Sequence, residues 1–111
     1  MKTDKYQGWT NYETWAVNLW LTNDSGIYDM IREMGQEAKA EAPELEAVKD
    51  EIWTVENGAK FTLADRIKDY IEENNPLENQ NDLYKDLLQG ALSEVNWNEI
   101  AASFLEIEKE N

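Results

Sequence analysis

The chain has 111 residues with 24 acidic and 10 basic side chains, and it carries neither Cys nor His, for a formal net charge of −14. Without Cys there is no disulfide staple, zinc finger, thiolate cluster or cysteine nucleophile, and without His no imidazole ligand or base. A charge of this size is repelled by phosphate backbones, which argues against direct binding of DNA or RNA.

Leu, Ile, Val and Phe make up 23 residues, a proportion near that of disordered acidic chains, but five Trp and five Tyr supply large rings to bury. The expectation is one all-α domain over residues 1–111, with loose ends at 1–6 and 107–111 and a small core that leans on its rings. Thr10 with Glu13 fits a capping box opening a first helix, whose face carries Trp15, Ala16, Leu19 and Trp20. Asn23-Asp24-Ser25-Gly26 breaks it. Asp24 or Ser25 then caps a second helix with Ile27, Met30, Ile31, Met34 and Ala38 turned inward.

Pro43 suits the first turn of a third helix with a stripe of Leu45, Val48 and Ile52. Asn57-Gly58 ends it in one of two ways. Gly58 supplies a left-handed C-cap, or Asn57-Gly58 turns a very short hairpin between residues 53–55 and 61–63. The C-cap is favoured because Thr62 with Asp65 looks like the next helix start. That fourth helix carries Leu63, Ile67, Tyr70 and Ile71 and stops at Asn74-Asn75-Pro76. A fifth carries Leu83, Leu87, Leu88, Ala91 and Leu92. Asn96 with Glu99 forms a second capping box, opening a last helix with Trp97, Ile100, Ala101, Phe104 and Leu105 on one face. The sum is a compact bundle of five to six short helices. No apolar run is long enough for a membrane span or a signal peptide.

Residues 1–23 are neutral, 24–60 carry −6 and 61–111 carry −8, so the charge belongs to the body of the chain. Asp29, Glu33, Glu37 and Glu41 recur at every fourth position of the second helix, where like charges work against helix stability. Neighbouring carboxylates in such a row lie about 6 Å apart, close to the phosphate spacing of a nucleic-acid strand. Asp65, Asp69, Glu72 and Glu73 form a second cluster. A charged outer helix face is ordinary, but this total exceeds the magnitude of about 2–8 that solubility asks of a small domain. Trp20 and Trp53 border the apolar faces and are the rings expected at the surface, whereas Trp15 and Trp97 are expected in the core.

Enzymatic signatures are weak. No Ser has a His partner, the Gly are scattered rather than gathered in a phosphate loop, and no calcium-loop spacing occurs. No catalytic residue, metal site or cofactor is assigned, and a small one-layer bundle is expected to offer little cleft for paired carboxylates.

Three segments carry a resemblance: Gly8-Trp9-Thr10-Asn11-Tyr12-Glu13-Thr14-Trp15, Asn74-Asn75-Pro76-Leu77, and Ala91-Leu92-Ser93-Glu94-Val95-Asn96-Trp97-Asn98-Glu99-Ile100-Ala101. Together they resemble a family of small acidic uncharacterised proteins carried by phages, plasmids and other mobile elements. The resemblance transfers no catalytic residue. It implies a setting, the cytoplasm of a host cell, in which small acidic proteins often block defence systems by presenting carboxylates in place of DNA phosphates. The expectation is a non-enzymatic anti-restriction or anti-CRISPR inhibitor whose partner is the basic surface of a nucleic-acid-binding protein. Its contact residues would be Asp29, Glu33, Glu37, Glu41, Asp65, Asp69, Glu72 and Glu73. The alternative is a small protein-interaction module that binds through exposed Trp20 or Trp53, with acidity serving solubility alone.

Overall fold

The computed structural model describes residues 5–106. They form α1 (Tyr12–Asn23), α2 (Ser25–Glu41), a 3-10 turn (Ala42–Glu44), α3 (Glu46–Lys49), α4 (Val55–Glu73), α5 (Leu83–Ser93) and α6 (Trp97–Phe104). The architecture is an all-α bundle without strands among the described residues, as the periodicity predicts. α4 is central, lying along α2 on one side and α6 on the other, while α1 closes over α2 and α6. The loose ends expected at 1–6 and 107–111 lie outside the described residues except for Lys5 and Tyr6. Tyr6 is held: it exchanges two 2.8 Å backbone hydrogen bonds with Trp9. The turn between them puts Gln7 at φ 52° and Gly8 at φ 87°, the two positive φ values of a two-residue hairpin turn.

The core is built from branched aliphatic residues and alanines rather than rings. Leu21, Ile31, Leu63, Ile67, Val95, Ile100 and Leu105 are buried together with Ala38, Ala42, Ala59, Ala64 and Ala101. Trp9, Trp97 and Phe104 pack only at its margin. Alanine seams let helices approach closely, and two glycines let them approach further. A Cβ on Gly35 would stand 3.1 Å from Leu105 Cδ2, and one on Gly58 would stand 2.8 Å from Val48 Cγ2. Gly58 is therefore neither a C-cap nor a hairpin turn. It sits in the opening turns of α4, which starts eight residues earlier than Thr62 suggests, with Thr54 accepting from Asn57 N–H as the cap. The expected third helix shrinks to a 3-10 turn and one turn of α3, because Glu51 turns left-handed at φ 62° and leaves Ile52 71% exposed.

α1 also departs from expectation. Its buried residues are Thr14 and Leu21, with Val17 packing beside them, so the inward face runs at i, i+3, i+7 from Thr14. Trp15, expected in the core, is half-buried on another face, with Tyr6 and Tyr12 ring centroids at 5.0 and 5.6 Å. The apolar pattern misleads here because the innermost residue is polar.

Thr14 is fully buried because it joins two helix starts. The α1 cap is Asn11, not Thr10: Asn11 Oδ1 accepts from Thr14 N–H at 2.9 Å and from the Thr14 hydroxyl at 2.6 Å. Thr14 Oγ1 in turn accepts from Asn96 N–H at 2.8 Å, and Asn96 Oδ1 caps α6 by accepting from Glu99 N–H at 3.1 Å. The Asn96 N–H thus goes to Thr14, and Glu99 Oε1 accepts from Thr10 N–H at 3.0 Å. Asn11 Nδ2 donates to the Glu94 carbonyl at 2.7 Å, and Asn96 Nδ2 donates to Thr10 Oγ1 at 3.1 Å. The opening and closing segments thus cap each other, satisfying N–H groups that helix starts leave orphaned.

Candidate binding surface

Every carboxylate singled out in the sequence is exposed: Asp29, Glu33, Glu37 and Glu41 on α2, and Asp65, Asp69, Glu72 and Glu73 on α4. The inward residues of α2, Ile31, Gly35 and Ala38, lie on the other side of the helix. Four residues advance a helix by about 400°, so a row at that spacing drifts by about 40° per step. The α2 row therefore winds toward α4, and its far end meets a cation. Arg66 of α4 bonds Glu41 Oε1 at 2.7 Å and reaches Glu37 Oε1 at 3.9 Å. Asp29 and Glu33 stand beyond that neutralising contact. On α4 the spacing of 65, 69, 72 and 73 places the four acids on one outward arc, opposite Leu63 and Ile67, with Arg66 at its α2 edge.

The two rows are thus neighbours rather than one continuous surface, separated by Arg66. Each exposed pair contributes no more than about 1 kcal/mol to stability. The electrostatic weight of the arrangement lies in the field it projects, since charges on adjacent helix faces sum over distances near the Debye length of about 8 Å at physiological salt. A second cation, Arg32, lies over the Tyr28 ring and donates to the Tyr28 hydroxyl at 3.3 Å. That hydrogen bond and the nearby Glu106 carboxylate hold its pKa above the ordinary arginine value.

Trp20 is 72% exposed on α1 and Trp53 is 37% exposed, its ring set edge-on to Phe61 at 4.8 Å. The two indoles expected at the surface are therefore there, Trp20 much more fully. Trp97 packs partly into the core and also forms one wall of a groove of about 770 Å³. That groove runs between the end of α4, residues 75–79 and α5, and presents Lys68, Glu72, Glu78, Lys85 and Gln89. It is a larger cleft than a one-layer bundle was expected to hold, and it forms because α5 stands off from α4. Among the described residues no three carboxylates converge to hold a metal ion, and no helix is long and apolar enough to cross a membrane.

The feature missed in the sequence lies on α5. Leu83 and Leu87, read there as core, are each 63% exposed, beside Tyr84 at 68%. The signal was present. Leu83, Tyr84, Leu87, Leu88, Ala91 and Leu92 fill two adjacent rows of one helix, and a surface helix needs only one such stripe.

Fold and surface together define a small acidic helical-bundle protein with two outward carboxylate rows and exposed aromatic and apolar side chains. The chain belongs to DUF7249, a family of unknown function, whose model matches residues 2–110. No curated protein and no solved structure matches it.

Proposed function

We propose that the protein is a non-enzymatic inhibitor, encoded by a phage or other mobile element and acting in the host cytoplasm. It would occupy the basic, nucleic-acid-binding surface of a host defence protein such as a restriction or CRISPR effector. The observation that carries this reading is the outward arc of Asp65, Asp69, Glu72 and Glu73, flanked by the α2 row, on a chain of net charge −14. Carboxylates about 6 Å apart on a rigid helix present charge at the spacing of a phosphate backbone without the flexibility of a strand. Complementary charge accelerates encounter and makes binding fall with salt.

The test is capture of the basic partner from host lysate, followed by competition with duplex DNA. DNA is expected to displace the protein, raised ionic strength to weaken the complex, and Asp65→Lys with Asp69→Lys to abolish it. A complex that survives both DNA and salt refutes mimicry. The second reading, a module that binds through aromatic surface, is favoured by the 72% exposure of Trp20. It requires that Trp20→Ala, and not the charge reversal, remove binding.

A further inference from the structure

Of the described helices of eight or more residues, only α5 buries none of its side chains. It nevertheless carries a full apolar row. Leu83, Leu87 and Ala91 follow one another at i, i+4, i+8, with Tyr84 alongside, and the first two are 63% exposed. Beside it on the helix stand Asp86 and Gly90, and the cap residues Asp82 and Glu94 extend the line at either end, Asp82 Oδ1 accepting from Lys85 N–H at 3.1 Å. Gly90 is out of place on internal grounds. Glycine weakens a helix interior, and a Cβ there would meet nothing within 4 Å, so no neighbour among the described residues demands it. An exposed apolar row, an acidic row beside it and a gap in that row together make a surface shaped for another helix.

We infer that this face of α5 is a docking site for a cationic amphipathic helix of the partner protein, its apolar side on Leu83, Tyr84 and Leu87 and its Lys or Arg side chains on Asp82, Asp86 and Glu94. The inference rests on the proposed electrostatic reading and adds an apolar anchor to it. Charge decides the occupant. A second copy of the chain would bring another body of −14 against this acidic face, whereas a basic helix gains from the charge. Area agrees: three side chains about two thirds exposed offer on the order of 400 Å², half of the roughly 800 Å² per partner of a stable interface. The face would thus supply about half of such an interface.

The experiment uses the full chain and two labelled probes, a Leu/Lys peptide with helical amphipathic repeat and an oligolysine of equal charge, followed by fluorescence anisotropy. The amphipathic peptide is expected to bind at least tenfold more tightly than oligolysine. Leu83→Ser with Leu87→Ser should bring it down to the oligolysine level and leave oligolysine binding unchanged. Both leucines are exposed, so circular dichroism should show an intact fold. A double variant that binds the amphipathic peptide as tightly as the parent overturns the docking site. A parent chain that dimerises in sedimentation equilibrium, with the double variant monomeric, overturns it in favour of a second copy. The electrostatic reading fails separately, through oligolysine binding that is indifferent to salt and to Asp65→Lys with Asp69→Lys.

Discussion

Replacing Gly58 by Ala places a methyl group 2.8 Å from Val48 Cγ2 and 3.1 Å from Leu45 Cδ1. Val48 is β-branched and stiff at χ1, so it does not swing aside, and the segment carrying α3 must move off α4. Such overpacking costs about 1–3 kcal/mol, offset by at most about 1 kcal/mol of improved helix propensity. The expected net loss is about 1 kcal/mol. A chain of 111 residues has an unfolding entropy that turns this into a fall in Tm of about 4 °C. Gly90→Ala is the matched control, since open space surrounds the added methyl group; it should raise Tm by a similar amount. Thermal unfolding followed by circular dichroism measures both. In a Val48→Ala background the closest obstruction is gone and only the 3.1 Å approach to Leu45 Cδ1 remains, so the loss on Gly58→Ala should shrink. Equal Tm gains at both glycines in the parent chain would refute the close approach of α3 to α4.

Further outcomes follow from the same geometry. Thr14→Val keeps the shape of the side chain but leaves the Asn96 N–H without its acceptor, which should cost about 2 kcal/mol in denaturant unfolding; Thr14→Ser, retaining the hydroxyl, should lose less than half of that. Leu83→Ser with Leu87→Ser should change stability by less than about 0.5 kcal/mol per site, where a core role would cost about 2–5 kcal/mol each. Arg66→Gln frees Glu37 and Glu41 and should speed association with oligolysine in stopped flow at low salt, with a stability change within about 1 kcal/mol. Acrylamide quenching should lose its most accessible component in Trp20→Phe, while Trp97→Phe leaves that component in place.

Legibility in the sequence followed the strength of local signals. α2 and α6 were read with their inward faces correct because Ile31, Ala38, Ile100 and Leu105 repeat at helical spacing behind good caps. α1 was found, but its face was rotated: the residue that turns inward is Thr14, whose burial depends on Asn96, 82 positions away. No local pattern encodes that partner. The same holds for Gly58, whose role as a contact point for Val48 looks in the sequence like a helix stop or turn. The aromatic residues suggested a ring-filled core, yet Ala38, Ala59, Ala64 and Ala101 let the helices come too close to leave room for rings. The carboxylate rows were legible as rows. Their division by Arg66 depends on how α2 and α4 sit side by side, and so does the exposure of Leu83 and Leu87, which only the standoff of α5 reveals.

The mutual capping of the two ends has a consequence for biosynthesis. Its hydrogen bonds join residues 82 to 89 positions apart. Closing a loop of that length costs roughly 4 kcal/mol of chain entropy beyond a constant, in a helical bundle whose other contacts are mostly near neighbours in sequence. While the ribosome is still making residues 94–99, the start of α1 has no partner for Thr14 and its inward face stays incomplete. The cap of α1 on α6 therefore cannot form before residues 94–99 have left the exit tunnel. A truncated product lacking residues 94–99 loses every hydrogen bond of this mutual cap.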